Sequence, residues 1–114
     1  MRAWNLTRAR TLLGDAIQVA DTSAARRRGL LKHRSLEPGQ GLWIVPCEAV
    51  HTFGMKFPID VVFLNRRRQV VKIKPNLQKN RIAVCLRAHS VLELPAGIIG
   101  QTQTQPGDQL LLEP

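Results

Sequence analysis

The sequence predicts an α+β domain that is mainly β: a small antiparallel, barrel-like sheet with one short helix near residues 22–29. Three observations carry this expectation. Apolar segments are short and follow one another closely, separated by turn residues. Only one segment has both a helix start and a helix stop. A chain of 114 residues forms about one domain and buries roughly two thirds of its unfolded surface, so residues 1–114 are expected to form a single domain. Closure toward a barrel would remove the exposed edges that so small a sheet otherwise carries.

In chain order, residues 10–20 (RTLLGDAIQVA) set Gly14 and Asp15 between two apolar runs, the pattern of a hairpin turn. The helix follows in DTSAARRRGLL. Asp21 or Thr22 can accept from the unpaired N–H groups of its first turn, Arg26 to Arg28 suit its negative C-terminal pole, and Gly29 can close it at positive φ. EPGQG at 37–41 is turn material, and GLWIV then rises as a strand ending at Pro46. VHTFGM at 50–55 alternates, and DVVFLN at 60–65 is a continuous apolar run. RRRQ at 66–69 is a turn. In VVKIK at 70–74, Val71 and Ile73 are expected on one face, with Lys72 and Lys74 on the other. RIAVCL at 81–86, SVLELP at 90–95 and GDQLLLE at 107–113 complete six to nine strands.

Hydrophobic content of 44% and a mean hydropathy of −0.13 indicate a folded, soluble chain. No apolar stretch approaches a membrane span, and the arginine-broken start lacks the apolar middle of a secretory signal, so a cytoplasmic location is expected. Cys47 and Cys85 are too sparse for a disulfide framework or a metal knot and are read as reduced thiols. Seventeen Lys and Arg against eight Asp and Glu give a net charge of +9 and a pI near 11.1, which favours polyanions as partners. No acidic residue lies between Asp60 and Glu93, an interval holding Arg66, Arg67, Arg68, Lys72, Lys74, Lys79, Arg81 and Arg87. That interval is a candidate anion or nucleic-acid surface. Phe63 is its only aromatic, however, so the stacking platforms of single-strand readers are missing.

HTFGMKFPID at 51–60 is the segment in which candidate binding residues concentrate. On an extended chain His51, Phe53 and Met55 share a face, and the bend at Lys56-Phe57-Pro58 can return Asp60 to the same corner. Two readings of Asp60 are open. Its carboxylate can accept backbone N–H groups freed by the bend, or it can orient His51 beside an apolar wall of Phe53 and Met55. Glu93, between Leu92 and Leu94, is expected to face outward toward an arginine; turned the other way, it would join His51 and Asp60 in a polar pocket. Hydrolase and metalloprotease motifs, a phosphate-cradling glycine loop and a close carboxylate pair are all lacking, so the sequence supplies no catalytic set, metal site or cofactor. A hydrolase or transferase using His51 would need Cys85, Cys47 or Asp60 brought beside it by folding.

RRRGLL at 26–31, HTFGMKFPIDVVFLN at 51–65, VLELPAG at 91–97 and PGD at 106–108 resemble, in order, the blocks of the family catalogued as domain of unknown function 192, or uncharacterised protein family 0127. The likeness spans about residues 20–112. It implies a compact, mostly β, barrel-like domain of bacteria and archaea, with no established activity or cofactor. The family's aromatic-aromatic-Met-Lys-Asn-Thr block stands here as Phe53-Gly54-Met55-Lys56-Phe57-Pro58, and Leu31 replaces a frequent Met. The expectation is an accessory or binding domain whose cleft, near His51, Phe53, Met55, Asp60 and Glu93, takes a small molecule or an extended protein segment.

Overall fold

A computed structural model describes residues 1–114. Its strands are β1 (Arg2–Asn5), β2 (Thr11–Gly14), β3 (Ala16–Ala20), β4 (Gln40–Ile44), β5 (Ala49–His51), β6 (Ile59–Leu64), β7 (Val70–Leu77), β8 (Ile82–Val84), β9 (Ser90–Pro95) and β10 (Leu110–Glu113). Two short helices join them, α1 (Ser23–Arg28) and α2 (Ile98–Thr102). The mainly β, α+β expectation holds; the barrel does not. The strands form an open five-stranded sheet in the order β3-β4-β9-β6-β7, a three-stranded sheet β10-β1-β2 and a two-stranded sheet β5-β8.

β6 and β9, at the centre, are buried at every position. Alternate residues point to opposite faces of a sheet. Leu42, Ile44, Val61, Phe63 and Val91 therefore enter one core, while Trp43, Val62, Leu64, Leu92 and Leu94 enter a second. Fully burying an aliphatic or phenyl side chain contributes about 1.5–3 kcal/mol, so these two strands anchor the fold from both sides.

Three local expectations fail for tertiary reasons. β2 and β3 are not a hairpin: β2 pairs with β1, and β3 pairs in parallel with β4. At the junction the Asp15 and Ala16 N–H groups both donate to the Gly39 carbonyl, at 3.0 and 2.8 Å. A Cβ on Gly14 would sit 2.8 Å from that oxygen, so the glycine serves close approach between chain segments. Val71 and Ile73 do not share a core, because an irregularity beside Phe63 and Leu64 shifts the register of β7. Val71 joins the first core and Ile73 the second. Extended structure at 50–55 stops at His51, where a turn with Gly54 at φ 81° intervenes.

The helix matches its signals. Thr22 Oγ1 accepts the Ala25 N–H at 3.1 Å, and Gly29 closes the helix at φ 49°. The N-terminal strand and α2 were not expected. β1 is held through buried Asn5, whose side chain donates to Thr104 and Asp108 and accepts the N–H groups of Thr7 and Arg8. Burial pushes the Asp108 carboxyl up, but hydrogen bonds from Asn5, Arg8 and the Gln105 N–H, with the Arg8 charge at 3.0 Å, outweigh it and hold the acid below its ordinary range.

Asp60 is a backbone acceptor, as one of its two readings held, but its donors come from distant segments rather than from the bend at Lys56-Phe57-Pro58. Fully buried, it accepts the Asn76 N–H at 2.8 Å, the Gly97 N–H at 3.1 Å and the Ile99 N–H at 2.7 Å. It thereby satisfies both the donor freed by the β7 irregularity and the start of α2. Asp60→Ala would strand the buried Ile99 N–H and remove the acceptor of two part-buried donors, and is expected to cost about 2–3 kcal/mol in urea unfolding. Asp108 contributes stability above its unfolded pKa that is lost as pH falls through its lower folded pKa. Acid unfolding should therefore lose a component in Asp108→Asn, together with part of the stability at neutral pH.

Candidate functional site

α1 and the loop after it lie across the first core, opposite β5. Between them is a cavity of about 80 Å³, lined by Arg26 to Arg28, Leu30, Leu31, Ile44, Cys47, Val50, His51, Met55 and Glu93. It adjoins a wider groove of about 700 Å³ bordered by Ser23, Arg26, Arg27, Pro46, Cys47, Glu48, Ala49 and His51. The narrow part has room for two or three waters or one short side chain.

Glu93 reaches this cavity from the central sheet. It stands between Leu42 of β4 and Val61 of β6, the row that faces the first core. The outward orientation expected from its Leu neighbours is thus corrected: β9 has no wet face, so Leu92 and Leu94 fill the second core and Glu93 is turned into the first. The residue is 4% exposed, and its carboxyl forms neither a hydrogen bond nor an ion pair within the protein. Burial alone pushes its pKa up to about 7.

The other candidates separate. His51 and Met55 line the cavity with Glu93, whereas Phe53 is 47% exposed and stacks on the His51 ring at a centroid distance of 5.6 Å. The turn at Gly54 carries Met55 into the core, so the three side chains do not share one face. Asp60 is on the opposite face of β6 from Val61, across the sheet from Glu93. The alternative arrangement, in which Asp60 orients His51, is therefore not formed. Cys85 is buried in the first core, while Cys47 lines the cavity and directs its thiol to the Ala49 carbonyl at 3.2 Å. Burial raises the Cys47 pKa, keeping it a thiol rather than a nucleophilic thiolate at neutral pH.

Sequence reasoning missed Arg26 to Arg28 and Cys47 as cleft residues. Their place depends on how α1 packs across β5, which local pattern does not encode. The basic interval is dispersed. Arg66, Arg67 and Arg87 border one hollow with His89, but Arg68 lies over the Trp43 ring at 4.8 Å. Lys72 Nζ donates to the Val84 carbonyl at 2.7 Å, and Arg87 donates to the Val71 carbonyl at 3.3 Å. No group of three or more metal-ligating side chains converges.

A mostly β domain with a mixed central sheet, a helix-covered first core and a cleft ending on a buried acid defines the class. Within that class the chain belongs to the DUF192 family, described as "Uncharacterized ACR", whose sequence profile matches residues 6–112. The match begins before the blocks legible from about residue 20. A UPF0127 protein of Thermococcus sibiricus is 29% identical over 99 residues, covering 82% of this chain and 64% of its own length. One from Thermococcus kodakarensis is 27% identical over 103 residues, covering 86% and 65%. The chain thus spans slightly less than two thirds of these relatives. A Sinorhizobium meliloti crystal structure, provisionally described as a transcription regulator, superposes with a TM-score of 0.85 at 23% identity, covering 96% of this chain and 91% of that one. One of unknown function from Novosphingobium aromaticivorans gives 0.77 at 22% identity, covering 84% and 74%. These likenesses establish the fold. No helix is long and apolar enough to cross a membrane.

Glu93 is protonated when folded up to about pH 7 but ionises near its ordinary 4.5 when unfolded. Its folded pKa is raised, so its contribution is full below the unfolded pKa and is lost as pH rises through the folded one. Stability should fall by about 3 kcal/mol between these values and then level off, and Glu93→Gln should flatten that slope in thermal unfolding followed across pH.

Proposed function

We propose that this chain is a non-enzymatic binding domain whose ligand, a small molecule or an extended protein segment, enters the cleft between α1 and β5. The observation that carries this reading is Glu93: a buried carboxyl without a protein partner, directed into a cavity. An unpaired buried polar group costs about 1–3 kcal/mol, and a ligand donor would recover it. His51, backed by the stacked Phe53 ring, forms one side of the mouth, Arg26 to Arg28 the other, and Met55 with Leu30 and Leu31 supplies apolar lining. Asp60 contributes at a distance, by holding the sheet that carries Glu93. No cofactor is required for such binding. The same arrangement offers weak support for a hydrolase or transferase, because His51 has no acid to orient it and the nearest thiol is held protonated.

A second reading has one favourable observation: Arg66, Arg67, Arg87 and His89 converge on a hollow of about 350 Å³, where a phosphate of a nucleic acid or another anion would fit. The two readings respond differently to salt: binding in the basic hollow rests on charge and falls steeply as salt rises, whereas in the cleft charge acts only at the arginine rim and the contacts with Glu93 and Met55 inside persist.

A thermal-shift screen of metabolites, peptides and oligonucleotides at two salt concentrations tests both. The expected hit persists at high salt and is lost in Glu93→Gln and weakened in His51→Ala. Hits that vanish with salt and require Arg66 and Arg67, with none dependent on Glu93, would replace the cleft by the basic hollow.

A further inference from the structure

The backbone of β5 narrows the choice of occupant. In an antiparallel pair, the N–H and C=O of one residue point to the same side, and successive residues alternate. The Glu48 carbonyl accepts the Cys85 N–H at 2.8 Å, and the Thr52 N–H donates to the Arg81 carbonyl at 2.9 Å. Positions 48, 50 and 52 therefore address β8. Ala49 and His51 address the opposite side, which is the free edge of a two-stranded sheet.

That edge borders the groove. Ala49 and His51 both line it, and the Ala49 carbonyl meets only the weak thiol donor of Cys47 there. Exposed edges are ordinarily blunted by proline, lysine or shortness, and β5, with the sequence Ala-Val-His, carries neither proline nor lysine and is limited only by its three-residue length. Side chains on an added strand alternate as those of β5 do. A residue opposite Val50 would point inward with it, into the cavity that Val50 lines together with Glu93. Residues opposite Ala49 and His51 would point outward, at the mouth rimmed by Arg26 to Arg28. The arginine rim and a net charge of +9 favour an acidic segment and oppose a second copy of this chain.

Resting on the cleft reading above, we infer that the groove binds an acidic, extended polypeptide segment as an added strand. The segment runs antiparallel to β5, hydrogen-bonds to Ala49 and His51 and sets one short donor side chain, such as serine, against Glu93. Main-chain bonds then supply affinity, and the cavity supplies selection at one position.

The test is a blocked heptapeptide of alternating glutamate and serine, titrated into isotope-labelled protein and followed by amide chemical shifts at low and high salt. With serine inward, the glutamate nitrogens face β5 and the serine nitrogens face away. N-methylation of the glutamates should weaken binding at least about tenfold, the effect of losing roughly one net hydrogen bond, while N-methylation of the serines should leave it nearly unchanged. Perturbations should centre on Ala49 and His51, and Glu93→Gln should alter the preference for serine over valine at the inward position. The protein itself is unaltered in the methylation comparison, so folding defects do not enter. Equal sensitivity to both methylation patterns, or binding that salt removes regardless of methylation, would reduce the interaction to polyanion attraction and overturn the inference. Absence of peptide binding alongside a salt-resistant, Glu93-dependent small-molecule hit would remove the added strand and leave the cleft. Absence of both would remove both.

Discussion

Burial of β6 and β9 on both faces is the constraint from which the rest of the molecule follows. A strand with one wet face can place an acid in water; these two cannot. Each acid they carry must enter a core, and the period of two along the strand decides which. Asp60 enters on the side of Val62 and Leu64, and Glu93 enters on the side of Val61 and Phe63. The sheet thus separates two carboxyls that lie in neighbouring strands.

Their surroundings then assign them different tasks. Asp60 is met by three backbone N–H groups, from the irregular part of β7 and the start of α2, and it fastens those segments to the sheet. Glu93 meets none and is left facing a cavity beneath α1. A carboxylate saturated by backbone donors contributes stability; one without partners costs stability and is available to a ligand. Asp108 repeats the first pattern at the other end of the molecule, where it joins Asn5 and Arg8 and ties the terminal strands together.

The cleft is a consequence of a small satellite sheet. β5 and β8 pair with each other and close the first core through Val50 and Ala83, but do not join the five-stranded sheet. One edge of β8 is occupied by the Lys72 ammonium on the Val84 carbonyl. The far edge of β5 faces α1 across a gap, with the arginines of α1 on its rim. Backbone groups and charge are therefore presented together on one surface, next to a buried acid.

The sequence by itself determined the elements with strong local chemistry. Thr22 and Gly29 delimit α1, the turn at residues 66–69 separates β6 from β7, and the apolar run after Asp60 is a strand without a solvent face. The bend before Asp60 was also legible, and a backbone-acceptor role for that acid was one of two open readings, but its donors, from β7 and the start of α2, were not, because they lie 16 to 39 residues away in sequence. What only the tertiary structure decided were relations between distant segments: the parallel pairing of β3 with β4 in place of a hairpin, the open sheet in place of a barrel, and the inward turn of Glu93. The same alternation that places Leu92 and Leu94 in a core reads as an outward Glu93 unless a second core is known to lie on the other side. Local periodicity reports which residues share a face; only packing reports whether that face is wet.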